Sequence, residues 1–310
     1  MTLAMVFSGQ GSQSQGMLAG LAAQHPEVTS TFAEASSELG YDLWDLVQNG
    51  AVEKLNETRV TQPAMLAAGV ATWRLWPKQG GVRPAGMAGH SLGEYTALVC
   101  AGAIEFQDAV RLVQRRAELM QDAVPADAGA MAAILGLDDQ SVRDVCATAA
   151  GTEVAEAVNF NSPGQVVVAG HRAAIDRVIE LAKKAGARRA ILLAVSVPSH
   201  STLMLPAGEA LAESLQAAAF QPPSIPVIDA VDGVPYTDAA DIRLRLTRQI
   251  SSPVNWVDTV QRLIADGATS FVECGPGRVL TGLIKRIDRS VAGGCIDSPD
   301  ALARELEKGD

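Results

Sequence analysis

Short, wholly apolar runs punctuate this chain, and between them apolar positions recur every three or four residues. The first pattern predicts buried strands and the second amphipathic helices. Leu3, Ala4, Met5, Val6 and Phe7 form the first apolar run and lead into the polar, glycine-rich Ser8-Gly9-Gln10-Gly11-Ser12-Gln13. Residues 17–24 have helical character and stop near Pro26. Residues 27–60 read as helices with Gly40 and Gly50 as stops. Thr61-Gln62-Pro63 precedes a helical run over 64–76, where Pro63 suits a first turn and Thr61 or Gln62 an N-cap. A turn at 80–84 feeds the small apolar run Ala85-Gly86-Met87-Ala88. Ala109, Leu112, Val113 and Leu119 repeat at helical spacing and predict a helix over 106–123, which carries Arg111, Arg115 and Arg116.

After a predicted linker at 126–129 the rhythm changes. Strand 131–137, helix 138–149, strands 154–159 and 165–169, helix 172–185 and strand 190–195 follow in turn. The order β-α-β-β-α-β predicts a split βαβ, ferredoxin-like subdomain inserted into the first domain. Asn161-Ser162-Pro163-Gly164 is the expected turn between its central strands. The domains are therefore expected at 1–126 with 196–310, and at 127–195. The returning chain predicts a helix over 203–219 with Pro206 in its first turn, a strand over 225–230, helices over 242–250 and 256–266, a strand over 270–274, and a basic helix over 280–287. The last twenty residues read as peripheral.

The 310 residues allow one large domain or a domain with a smaller insert. Hydrophobic residues are 48% of the chain but aromatics only 4%, so the core must be built of Ala, Val, Leu and Ile. That suits parallel strands covered by helices. A net charge of −10 argues against a nucleic-acid partner. No apolar run reaches the length of a membrane span, and the start lacks the basic region of a signal peptide. Cys100, Cys146, Cys274 and Cys295 form no C-x-x-C pair, and His25, His90, His171 and His200 share no zinc spacing. A cytoplasmic enzyme without metal or cofactor is the expectation, and a monomer.

Chemistry concentrates at Gly89-His90-Ser91-Leu92-Gly93, between the apolar run and a helix-like segment. Serine at the centre of G-x-S-x-G, on a sharp turn from strand to helix, is the nucleophile-elbow pattern. Its rival is chance in a chain rich in Gly and Ala, which the strand-before, helix-after context disfavours. The serine would sit at a helix N-terminus that favours a developing oxyanion, and it needs a base. His90, adjacent to Ser91, should point away from it; His25 and His171 read as surface residues. His200 remains, on a loop entering a helix, with a capping or core role as the alternative. An acidic acyl group would need a cation, and Arg115 and Arg116 are candidates, although spacing alone reads both as a solvated face.

Six segments together carry a resemblance. Phe7-Ser8-Gly9-Gln10-Gly11-Ser12-Gln13, Thr61-Gln62-Pro63, Gly89-His90-Ser91-Leu92-Gly93-Glu94-Tyr95, Asn159-Phe160-Asn161-Ser162-Pro163-Gly164-Gln165, Val197-Pro198-Ser199-His200 and Glu273-Cys274-Gly275-Pro276-Gly277 stand in one order along the chain. In that order they resemble the bacterial malonyl-CoA:acyl carrier protein transacylases of fatty acid synthesis, with Ser8 where that family usually has Pro. The resemblance implies an α/β hydrolase-like core with a ferredoxin-like insert. It implies Ser91 as acylated nucleophile, His200 as base, and Gln249 orienting His200 through its main-chain carbonyl in place of an Asp. It implies an oxyanion hole from the N–H groups of Gln10 and Leu92, Arg116 against the malonyl carboxylate, and Gln62 in the same pocket. Malonyl-CoA and acyl carrier protein are the implied partners. Carrier protein is acidic, so Arg278, Lys285, Arg286 and Arg289 are candidate docking residues, with a solvated basic face as the alternative. Ser199 and Leu92 resemble the malonyl-selective pattern. Competing readings are the malonyl-transferring subunit of a malonate decarboxylase, a serine esterase or thioesterase, and a non-enzymatic binding module.

Overall fold

The computed structural model describes residues 2–125, 127–195 and 197–308. Of the expected linker and domain junctions, residues 126 and 196 lie outside the described residues, as does residue 1. The described strands run in chain order β1 (Leu3–Phe7), β2 (Gly86–Gly89), β3 (Gly129–Leu135), β4 (Ala155–Ser162), β5 (Gln165–His171), β6 (Arg189–Leu192), β7 (Val227–Ile228), β8 (Ser270–Cys274) and β9 (Ala292–Ile296). They divide into two sheets, β7-β2-β1-β8-β9 and β4-β5-β3-β6.

Every pairing in the first sheet is parallel. β1 and β8 are buried at every position, as strands covered on both faces must be. The register sets Phe7 opposite both Gly89 and Cys274, so β1, β2 and β8 end together. Their following loops, at 8–13, 90–92 and 275–277, therefore share the carboxyl edge of the sheet. Open α/β sheets hold ligands at this edge.

The second sheet is antiparallel, in the strand order of the ferredoxin-like unit. Helices Asp139–Ala150 and Arg172–Lys184 cover one face, over a core that includes Ile134, Val142, Val166, Ile175 and Val178. Met131, Val158, Val167 and Ala169 line the other face, with Leu193 and Val195 packed against them. β4 also joins the first domain: Phe160 N–H donates to Val254 O at 2.9 Å and Val254 N–H to Val158 O at 2.8 Å. The molecule is thus an α/β core on a parallel sheet with an inserted α+β unit. Among the described residues no helix is long and apolar enough to cross a membrane.

Three expectations need correction. Pro63 does not open its helix, which runs Thr58–Lys78 with Glu57 as N-cap. Proline there leaves Arg59 O without its helical donor, a cost of about 3 kcal/mol in a helix interior. Burial of every residue from 60 to 72 offsets it, and tertiary packing overrides the local stop signal. The strand expected at 225–230 shrinks to Val227–Ile228 because Asp229 Oδ1 accepts from the N–H groups of Val231 and Asp232, both at 2.7 Å, and turns the chain. The last twenty residues are not peripheral. β9 extends the parallel sheet, helix Pro299–Glu307 folds over it, and Ile296 and Leu302 join the core. Gly294 permits that contact, since a Cβ there would meet the Glu305 carboxylate at 2.2 Å.

Candidate active site

The turn between β2 and helix Gly93–Cys100 is too tight for side chains at either flanking glycine. A Cβ on Gly89 would lie 1.9 Å from Gly93 C, and one on Gly93 would lie 1.9 Å from Phe7 O. His90 N–H donates to Phe7 O at 3.0 Å and pins the turn to the end of β1. Ser91 is held at φ 53°, a left-handed conformation that costs a non-glycine residue on the order of 1–2 kcal/mol. His200 is held likewise, at φ 66°. Strain at both residues is offset by the surrounding packing.

These two residues meet. Ser91 Oγ lies 2.7 Å from His200 Nε2, and His200 Nδ1 lies 2.9 Å from Gln249 O. A carbonyl only accepts, so Nδ1 carries the proton and Nε2 is left as the acceptor for the serine O–H. Burial, and then the charge of Arg116, pull the His200 pKa down to about 3. The imidazole is therefore neutral in the free protein, with Nε2 unprotonated and able to accept the serine proton. Among the described residues no carboxylate hydrogen-bonds to it; a main-chain carbonyl sets its tautomer.

Arg116 lies on helix Phe106–Asp122 and is 1% exposed. Its Nη1 donates to Gln62 Oε1 at 2.6 Å; its Nη2 donates to Gln249 Oε1 at 3.1 Å and to Ser91 Oγ at 3.2 Å. The guanidinium lies over the Tyr95 ring, 5.6 Å from its centroid. Every hydrogen-bond partner is a neutral oxygen, and among the described residues Nε has none. Burial lowers its pKa, but a guanidinium still keeps its proton. A desolvated cation with no carboxylate in direct contact among the described residues is strongly receptive to one. The solvated-face reading thus fails for Arg116 and holds for Arg115, which is exposed and 3.6 Å from Glu118. Adjacent helix positions face about 100° apart, and packing decides which turns in.

Gln10, Leu92 and Gln62 line the same cavity of about 240 Å³ as Ser91, His200 and Arg116. Among the described residues, the main-chain N–H groups of Gln10 and Leu92 donate to no protein acceptor, so both remain available. The outward face of the second sheet closes the opposite wall with Met131, Val167, Leu193 and Val195. His90 Nε2 lies 2.8 Å from Asn161 Oδ1 and its ring tilts against Trp256, away from Ser91. His25 and His171 do not line the cavity; His171 Nδ1 accepts from Val154 N–H at 2.9 Å. Val279, Leu280 and Leu283 of helix Val279–Ile287 form part of the rim. Arg278, Lys285, Arg286 and Arg289 are exposed and do not line the cavity; Arg278 pairs with Asp297 at 3.1 Å, and Arg286 Nη1 donates to the cavity residue Gln165 at Oε1, 2.5 Å away.

A second buried polar group escapes sequence reasoning. Glu94 is fully buried and accepts from Gln249 Nε2 at 2.9 Å, from Ala230 N–H at 3.2 Å and from Tyr236 O–H. Burial and the nearby Asp229 charge push its pKa up to about 7. Asp229 is itself paired with Arg245 at 2.6 Å. In sequence, an acid in a first helical turn signals only a favourable dipole contact, and Tyr236 lies 142 positions away.

Likeness to known proteins runs almost end to end. The family model described as acyl transferase domain matches residues 4–297. The malonyl CoA-acyl carrier protein transacylase of Salmonella typhimurium is 54% identical, over 98% of each chain. The structure of the same-named protein from Coxiella burnetii superposes with a TM-score of 0.98 at 46% identity, covering 100% of this chain and 98% of that one. A malonyl-transacylase solved in complex with its type II polyketide-synthase acyl-carrier protein gives 0.98 at 52% identity, covering 99% and 100%. With family, sequence and three-dimensional shape agreeing along the same length, the chain belongs to the acyl transferase family, in its branch of malonyl CoA-acyl carrier protein transacylases.

Proposed function

We propose that this protein moves a malonyl group from malonyl-CoA to the phosphopantetheine thiol of an acyl carrier protein, through an ester on Ser91. One observation carries the reading: a single hydroxyl touches both a neutral imidazole and a buried guanidinium that, among the described residues, has no carboxylate in hydrogen-bond contact. The free malonyl carboxylate supplies that contact. Held on Arg116, it sets the thioester carbon beside Ser91 Oγ.

Attack by Ser91 sends its proton to His200 Nε2, while Gln249 O stabilises the imidazolium through Nδ1–H. The carbonyl oxygen becomes an oxyanion held by the N–H groups of Gln10 and Leu92, each donor contributing about 3–4 kcal/mol in comparable sites. Collapse expels the CoA thiolate, which takes the proton back from His200. The pantetheine thiol then enters, gives its proton to His200, attacks the ester and restores the Ser91 hydroxyl. Every step is acyl transfer between sulfur and oxygen, with no net proton change.

The exposed Arg278, Lys285, Arg286 and Arg289 are the docking residues for the acidic carrier protein in this reading. The protein acts as a monomer in the cytoplasm. A thioesterase on the same elbow has no use for a buried cation beside the nucleophile, and the names of the relatives favour carrier-protein transfer over malonate decarboxylation. The test is intact-mass analysis after mixing with malonyl-CoA alone. A gain of one malonyl group, discharged on adding carrier protein bearing pantetheine, supports the reading; release of free malonate without an adduct that carrier protein discharges overturns it.

A further inference from the structure

Gln249 joins the nucleophile, the base and the cation. Its carbonyl holds His200, its Oε1 accepts from Arg116 Nη2, and its Nε2 donates to Ser91 O at 3.0 Å and to Glu94 at 2.9 Å. An amide side chain has nearly the same shape with its oxygen and nitrogen exchanged, and its partners alone decide which end points where. In the observed orientation oxygen meets the cation and nitrogen meets the anion. Reversed, an NH₂ group would face the guanidinium.

The Glu94 carboxylate is built for this task. Its three neighbours, Gln249 Nε2, Ala230 N–H and Tyr236 O–H, are all used as donors. In its ionised form, which prevails above about pH 7, the carboxylate accepts from all three. A glutamine at 94 has one oxygen, and its own NH₂ would confront at least one donor. Burying an anion for packing alone is costly, whereas an anion and a cation joined through one polarised amide strengthen both hydrogen bonds.

We propose that Glu94 is the positioning residue for Arg116: through the side-chain amide of Gln249 it keeps the guanidinium aimed at Ser91, and so sets the preference for an acyl group ending in a carboxylate. The inference rests on the malonyl-transfer reading above. Glu94 does not meet the substrate. Its contribution appears only in acyl groups that use Arg116.

The experiment compares acylation of Ser91 by malonyl-CoA and by acetyl-CoA in the full-length protein. Glu94→Gln should lower kcat/KM for malonyl-CoA about ten-fold relative to acetyl-CoA, mostly through KM. A purely structural role would reduce both by one common factor, and that result overturns the proposal, as does no change in either. Adding Glu94→Gln to Arg116→Ala should leave the malonyl-to-acetyl ratio where Arg116→Ala alone puts it; a further fall overturns the proposal. Should Glu94→Gln not accumulate as folded protein, Tyr236→Phe carries the test, because it removes one tether of the carboxyl group and leaves residue 94 itself unchanged. It should shift the ratio the same way, about two- to three-fold, and an unchanged ratio overturns the proposal. Failure of the function itself is distinguishable: wild-type protein would then form no malonyl adduct at all.

Discussion

The parallel domain, through the loops and helices at its sheet's carboxyl edge, and the antiparallel unit, through one sheet face, line one cavity and contribute different things to it. From the parallel domain come Ser91, His200, Arg116, Gln62 and Gln249, all charged or hydrogen-bonding groups fixed by several partners. The antiparallel unit contributes mainly the apolar wall Met131, Val167, Leu193 and Val195, with Asn161 and Gln165 at its turn. Polar groups need defined angles, and the turn after β2, the helices that carry Gln62, Arg116 and Gln249, and their mutual hydrogen bonds supply them. A wall needs only shape and dryness, which the spare face of a second sheet provides. Chemistry and enclosure are thus separate layers, and damage to each should look different.

Loss of the nucleophile is the largest break. Ser91→Ala should lower transfer by at least about 10⁴-fold and abolish the adduct, with little effect on folding, since alanine loses only the hydroxyl. Arg116→Ala comes next: kcat/KM for malonyl-CoA should fall about 10²-fold while acetyl-CoA is better tolerated. The same variant tests the electrostatics. With His200 lowered to about 3, the acid limb of kcat/KM in the wild type should lie well below the 6.5 of free imidazole. Removing the Arg116 charge should move it upward. An unmoved limb would mean that burial alone sets the imidazole.

Stability should follow the same shift. Between pH 6.5 and about 3 the unfolded chain binds a proton at His200 that the folded protein does not. The contribution of His200 is therefore fully present above 6.5 and is lost as pH falls toward 3. His200→Gln should flatten urea midpoints over that window.

Wall variants should invert the pattern. Met131→Ala should cost about 2–5 kcal/mol of stability, measured by urea unfolding, yet change adduct formation less than about three-fold while hastening its hydrolysis. A loss of transfer as large as that of Arg116→Ala would end the division between the layers. The smallest effect is expected outside the cavity. Lys285→Glu with Arg286→Glu should raise KM for carrier protein several-fold and leave acylation by malonyl-CoA unchanged. Equal effects on both substrates would remove the docking role.

Legibility followed the range of the forces involved. Gly89 is legible locally, because the close approach that requires it arises within one turn, whereas Gly93 is legible through the G-x-S-x-G pattern although its close approach is to Phe7 of the neighbouring strand. The β-α-β-β-α-β order was readable because each element carries its own periodicity. Arg116 was not: its helix offers two adjacent arginines, and only contact with Gln62 and Gln249, 54 and 133 positions away, separates them. Glu94 and Tyr236 meet only in the folded chain. At Pro63 a local signal yields to burial, and the last twenty residues show their place only through pairing of β9 with β8. The meeting of Ser91, His200 and Gln249 was foreshadowed by resemblance; elimination among four histidines left His200 open.

The most direct measurement is to digest the protein after brief exposure to malonyl-CoA and locate the added group by tandem mass spectrometry. The account predicts a malonyl ester on Ser91, formed without carrier protein and absent from Ser91→Ala. A malonyl group mapped to any other residue, or one that persists in that variant, would contradict it.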